Sequence, residues 1–192
     1  LEAVHRLLPL TAVDSVTEPA KGLEIGVGSG LFAAPLGIGY GVEPSDRMRE
    51  KASSRGIEVR PGVAEALPYE DGSFDFILMV TAICFIDDEN KTMKEIHRVL
   101  KPGGAAVFGF VDEHSPLGRV YQEHKEENVF YRDAVFFSAE KVIGCLEKHG
   151  FRLDEAGQTV YGMLDEIHEI QPLSPGYGSG GFVVIRAVRE RN

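Results

Sequence analysis

Leu23-Glu24-Ile25-Gly26-Val27-Gly28-Ser29-Gly30, followed by Gly41-Val42-Glu43-Pro44-Ser45, reads as a buried strand, a glycine-rich turn, a short helix, and a second strand ending in a carboxylate. Glycine turns the backbone sharply and lets a ligand approach it, because no Cβ stands in the way. A carboxylate at the tip of the neighbouring strand can accept both hydrogen bonds of a ribose diol. The two stretches therefore describe a site for an adenosine-containing ligand at the carboxyl ends of parallel strands.

The rest of the chain supplies the strands and helices such a site needs. Strands are expected at 21–26, 38–43 and 57–60, and at Phe74-Asp75-Phe76-Ile77-Leu78-Met79-Val80. The last is apolar almost throughout, as a parallel strand covered on both faces should be. Ser45 is placed to cap a helix running to about Arg55, with Asp46 in its first turn and Gly56 as its stop. Asp87 or Asp88 begins a helix whose Met93, Ile96 and Leu100 share a face. Lys101-Pro102-Gly103-Gly104 then turns the chain into a strand at 105–111.

Up to this point strand and helix alternate, which predicts a parallel sheet with right-handed crossovers. A short helix at 3–8, a helix capped by Ser138 and stopped at Gly150, and strands near 151–159 and 181–189 complete the expectation. The whole, 1–192, reads as a single domain, and 43% hydrophobic content suits one well-formed core.

Composition narrows the function. A net charge of −10 and a pI near 5.1 argue against a nucleic-acid partner, which calls for a basic stripe. No apolar run approaches the length of a membrane span. Leu1 to Leu8 contains Glu2, His5 and Arg6, unlike a signal peptide, and the sequence begins without a methionine. Cys84 and Cys145 are the only cysteines and make neither a disulfide framework nor metal-ligand spacing. A cytoplasmic protein without a metal is expected.

Glycine spacing sorts the nucleotide ligands. A dinucleotide fingerprint is G-x-G-x-x-G with an acid about 20 residues later. Here Gly26, Gly28 and Gly30 give G-x-G-x-G and Glu43 comes sooner, which disfavours an NAD-dependent oxidoreductase. No Gly-Lys-Ser/Thr follows, so a phosphate loop is excluded.

Four segments, in order, resemble the class I S-adenosylmethionine-dependent methyltransferases. They are Glu24–Gly30, Val42–Ser45, Gly62-Val63-Ala64-Glu65-Ala66-Leu67-Pro68 with Asp71–Asp75, and Glu95-Ile96-His97-Arg98-Val99-Leu100-Lys101-Pro102-Gly103-Gly104. The resemblance runs from about residue 21 to 111 and is nearest to the small-molecule branch that includes ubiquinone and menaquinone biosynthesis methyltransferases. It implies a Rossmann-like, doubly wound α/β fold: a seven-stranded, mostly parallel sheet whose last strand is antiparallel and inserted between the fifth and sixth.

It also implies S-adenosylmethionine as the methyl donor and a small molecule as the acceptor. The cofactor contacts it carries over are Glu24, Gly26, Gly28, Gly30, Glu43, Pro44, Ala64, Glu65, Val80 and Thr81. Among these Glu43 takes the ribose hydroxyls, Ala64 and Glu65 sit by the adenine, and Val80 and Thr81 end the strand beneath the cofactor. Two departures stand out. Val63 occupies a place where the family often has an acid. The interval from Gly30 to Glu43 is short, so the first crossover helix, which contains Pro35, is expected to be about a turn shorter than usual.

Methyl transfer from a sulfonium asks the protein mainly to align three atoms and exclude water. A general base depends on the acceptor, so the candidates are few. The segment 112–137 reads as an acceptor-site insertion, with a helix at 117–128 and the aromatic run Val129-Phe130-Tyr131-Arg132-Asp133-Ala134-Val135-Phe136-Phe137. His124 is the general-base candidate, because its ordinary pKa lies near neutrality, and Tyr131 is the second catalytic candidate. Tyr121 and Arg132 are further possible contacts.

Cys84 reads first as a small buried hydrophobe and Asp87–Asp88 as a helix start rather than a Mg²⁺ site. His97 reads as a packing or solvated side chain. The loop Pro175–Gly181 is either a lid or a plain connection. A protein that keeps the fold and binds the cofactor without turnover is the alternative to an enzyme.

Overall fold

The computed structural model describes residues 1–9, 20–129 and 131–191. Parallel strands β1 (Gly22–Ile25), β2 (Tyr40–Val42), β3 (Glu58–Arg60), β4 (Phe74–Val80) and β5 (Leu100–Val111) form one half of a single sheet. Its other half is β6 (Phe151–Thr159), the two-residue β7 (Ser174–Pro175) and β8 (Phe182–Arg189). The strand order is β3-β2-β1-β4-β5-β8-β6-β7. β8 lies antiparallel between β5 and β6, the insertion the resemblance implied. The sheet has eight strands rather than seven, because Ser174 and Pro175 add a short antiparallel edge against Gly157 and Gln158.

Two cores cover the two faces, and the strands serve both by period-two alternation. Ile77 and Met79 of β4, with Phe108 of β5 and Ile185 of β8, face helices α3 (Glu89–Val99) and α5 (Ala139–Lys148). Leu78 and Val80, with Val107 and Val184, face α1 (Glu2–Leu7) and Ala52 of α2 (Asp46–Ser53). A short helix α4 (Pro116–Glu123) stands at the carboxyl end of the sheet. Among the described residues no helix is long and apolar enough to cross a membrane.

Helix starts follow the expected chemistry with one exception. The Asp88 carboxylate accepts from the amides of Asn90 and Lys91 at the start of α3, and Ser138 Oγ accepts from Lys141 at the start of α5. Ser45 precedes α2 without capping it through its side chain. Its amide instead donates to the Glu43 carboxylate.

Three further expectations are corrected. Between β1 and β2 there is no helix: residues 31–37 make successive turns, closed by bonds such as Ala34 N–H to the Gly30 carbonyl and Leu36 N–H to that of Phe32. Pro35 removes one donor in a segment too short to recover the cost of helix nucleation. The turn expected at 101–104 is absorbed into β5, where Leu100 pairs with Phe74 and Ala105 with Phe76, a bulge that Gly103 permits at φ +81°. The helix expected over 117–128 is α4 followed by a 3₁₀ turn at Lys125–Glu127. Phe130 lies outside the described residues.

Candidate active site

The glycine turn is built against the tip of β2. Gly26 and Val27 both donate their amides to the Val42 carbonyl, at 2.9 and 3.1 Å. This places Glu43, the next residue, beside the turn. Its carboxylate is held from both sides, accepting from Gly28 N–H at 3.0 Å and from Ser45 N–H at 2.9 Å. An ionised carboxylate has about four acceptor positions, so two bonds orient it and leave capacity for a diol.

The three glycines divide the work. All have positive φ: +68° at Gly26, +53° at Gly28 and +81° at Gly30. A Cβ on Gly28 would meet nothing within 4 Å, whereas one on Gly30 would lie 2.6 Å from Ile57 Cδ1 and 3.3 Å from Ala52 Cα. Gly28 borders open space, and Gly30 lets the turn pack on α2 and the chain that follows it.

The open space is a cavity of about 500 Å³ over the carboxyl ends of β1, β2 and β4. Of the cofactor residues expected from the sequence, Gly26, Gly28, Glu43, Pro44, Ala64, Glu65, Val80 and Thr81 line it together. Gly30 and Glu24 do not. Glu24 lies beneath the turn, 1% exposed, and its Oε2 has no partner among the described residues. Burial pushes its carboxyl up to about 8, only partly offset by a hydrogen bond from the Ala33 amide.

Glu65 lines the cavity, yet its Oε1 accepts from the amides of Asp87 (2.7 Å) and Asp88 (3.2 Å). It thereby fastens the loop after β3 to the loop after β4. Arg98 of α3 fastens the same loop from below, donating to the carbonyls of Leu67 and Tyr69 and pairing with Asp71 and Glu95. Glu95 in turn accepts from Leu67 N–H, and its Arg98 partner holds the carboxyl below the usual range. The third and fourth sequence segments are thus two halves of one clamp.

Residues not expected at the cofactor from sequence complete the wall, notably Met48, Phe85, Ile86 and Asp87, the last read there as a helix start. Phe85, Ile86 and Asp87 follow β4 directly, and position at the carboxyl end of a central strand is the signal that points to them.

Thr81 borders a second, smaller cavity of about 30 Å³ walled by Cys84, Phe110, Tyr121, Tyr131 and Phe136. Tyr121 and Tyr131 stack at 5.1 Å between centroids, and Phe136 meets Tyr131 at 6.2 Å. Thr81 sits at φ +53°, unusual for a β-branched residue and a place where the surrounding structure holds strain. Its carbonyl accepts from Cys84 Sγ at 3.2 Å. Burial pushes the Cys84 thiol up to about 11, which keeps it protonated and weakly nucleophilic at neutral pH.

His124 is not brought to either cavity. It ends α4 exposed to solvent, with Nδ1 3.0 Å from the Val120 carbonyl. His97 packs edge-on against Phe151. Among the described residues no group of three or more His, Cys, Asp or Glu could hold a metal ion. The glycine loop before β8 is tied down, since the Gln158 side-chain oxygen accepts from Ser179 and Gly180 at 2.8 Å each.

The cavity and its residues suit S-adenosylmethionine: a diol acceptor at Glu43, open space over Gly28, and apolar walls. Comparison with known proteins agrees. Residues 23–108 match the methyltransferase domain family. An uncharacterised protein of Methanocaldococcus jannaschii is 41% identical over 97% of this chain and 86% of its own. A demethylmenaquinone methyltransferase of Chlorobaculum tepidum is 33% identical over 70% of this chain, which spans 55% of that protein. A crystal structure from Thermotoga maritima, described as an S-adenosylmethionine-dependent methyltransferase and possible histamine N-methyltransferase, superposes with a TM-score of 0.87 at 48% identity. That match covers 97% of this chain and 92% of the other. The chain therefore belongs to the S-adenosylmethionine-dependent methyltransferases.

Proposed function

We propose that this protein transfers the methyl group of S-adenosylmethionine to a small-molecule acceptor that reaches Thr81 from the side of Tyr121 and Tyr131. The observation that carries the reading is Glu43, oriented by Gly28 and Ser45 at the wall of a cavity of about 500 Å³. When bound, S-adenosylmethionine supplies an activated methyl on a good leaving group. Glu43 accepts the ribose hydroxyls, Gly26 and Gly28 admit the ligand against the backbone, and the apolar walls exclude water. Thr81 borders both cavities, so its strained backbone separates donor from acceptor.

A nitrogen nucleophile is the acceptor chemistry we favour. The smaller cavity offers aromatic rings and no charged side chain among its lining, a setting in which positive charge developing on an amine is stabilised by ring faces. The description of the Thermotoga maritima relative points the same way, and the acidic chain favours cationic over anionic ligands. No membrane or nucleic-acid partner is part of this proposal.

Calorimetric titration with S-adenosylmethionine and S-adenosylhomocysteine, with NAD as control, tests the donor half. Micromolar binding of the first two and none of NAD is the expected result. Transfer of labelled methyl to a panel of small amines and quinols then tests the acceptor half. Binding without transfer to any of them would favour the non-catalytic alternative.

A further inference from the structure

The cavity that Glu43 lines is rimmed also by Thr81 and by the loops after β3 and β4. Three large apolar side chains of its lining stand open to solvent: Met48 of α2 at 36%, Val63 after β3 at 46% and Phe85 after β4 at 52%. Exposed apolar groups in the lining of one cavity suit a ligand with a flat apolar face. The adenine ring has that face. Its edge, however, carries an amino group that loses water as the ring enters and needs an acceptor in return. The Val63 side chain offers none.

Glu43, Glu65 and Asp87 are the acidic residues that line the cavity. Glu43 lies toward the ribose and accepts from Gly28 and Ser45. Glu65 accepts the backbone amides of Asp87 and Asp88. The Asp87 carboxylate, at the same rim, has no hydrogen bond or ion pair among the described residues. Its backbone is held at the rim by Glu65, while its side chain is left to face a ligand.

We propose that Asp87 accepts a hydrogen bond from the exocyclic amino group of the bound adenine, with Glu65 as the residue that positions it. This rests on the cofactor reading above. It predicts discrimination at one atom, because replacing the amino group by a carbonyl sets an acceptor against a carboxylate. Sites built around a polar contact reject analogues that lack the partner.

The test is calorimetric titration of the intact protein with S-adenosylhomocysteine and with S-inosylhomocysteine, which carries that carbonyl. Wild type is expected to prefer the adenosyl ligand by about tenfold or more, the size of one charge-assisted hydrogen bond. Asp87→Ala lowers the preference to about twofold, through weaker adenosyl binding and unchanged or tighter inosyl binding. Asp87→Asn, whose amide can serve either edge, falls between them. Glu65→Gln also lowers the preference, with Asp87 still present. Asp87 is exposed, so its variants are expected to melt like wild type. A preference in Asp87→Ala equal to that of wild type overturns the proposal and leaves the cofactor reading standing. Failure of wild type to bind S-adenosylhomocysteine at all overturns both.

Discussion

The two ends of the site are built differently. At the cofactor end, the glycine turn, Glu43 and the loops after β3 and β4 are joined mostly by backbone amides and short carboxylate bonds. Glu43 reaches Gly28, Glu65 reaches Asp87, and Arg98 spans the loop that ends at Asp71. At the proposed acceptor end, 112–137 is held by backbone bonds from Glu113 N–H to the Phe137 carbonyl and from Val135 N–H to that of Cys84, by one buried carboxylate and by ring packing. Asp112, 2% exposed, accepts from the amides of His114 and Ala139, and Tyr121, Tyr131 and Phe136 rest on one another. The difference teaches that the cofactor end is joined almost wholly by directional bonds, while the proposed acceptor end adds a cluster of packed rings, and packing tolerates exchange of residues.

The largest test of this contrast concerns Glu24, beneath the cofactor end. Its folded pKa of about 8 lies above the ordinary 4.5, so the folded protein retains a proton that the unfolded chain has released. Stability is therefore expected to fall as pH rises from about 4.5 to about 8 and to level off above, at up to about 1.4 kcal/mol per pH unit. Calorimetric melting across that range reads it. Glu24→Gln is expected to lose most of the slope, and a slope that survives the change would place its origin elsewhere.

Next, Gly30→Ala combines a φ of +81° with a contact 3.3 Å from Ala52 Cα, and is expected to destabilise by about 2–3 kcal/mol. Gly28→Ala, which borders open space, should cost about 1–2 kcal/mol in backbone strain and weaken S-adenosylhomocysteine binding as well. Equal melting losses in the two variants would erase the distinction between a packing glycine and a cofactor glycine.

Glu43→Ala should weaken S-adenosylmethionine binding by about 1–3 kcal/mol in a titration. Unchanged affinity would remove Glu43 from the ribose. The smallest effect is expected at the other end. Tyr131→Ala should lower stability by about 1 kcal/mol through its ring contacts and leave S-adenosylhomocysteine affinity within about twofold. A large loss of affinity there would break the separation of the two ends.

Much of the cofactor end was legible because its parts are close in sequence. Gly26 to Glu43 is one strand–turn–strand unit, and an acid at a strand tip declares itself by position. Glu65 was legible as a residue of the cavity wall, but its bonds to Asp87 and Asp88 were not, since they join residues 22 and 23 positions apart. His124 shows the limit on the other side. Its imidazole made it a candidate base, yet at the end of α4 it is exposed to solvent and lines neither of the two cavities described.

Local pattern was enough for most of the alternation of strand and helix, the apolar β4, a cap at Asp87 or Asp88, the cap at Ser138, and the family. These depend on backbone sterics, period-two alternation and short-range hydrogen bonds, all written within a few residues. Tertiary structure alone supplied the turns in place of a helix at 31–37, the added edge β7, and the meeting of Tyr121, Tyr131 and Phe136 beside Thr81. It also brought Asp87 to the cavity rim. Each of these depends on which distant surfaces the sheet brings into contact, and that is a property of packing rather than of any local run of residues.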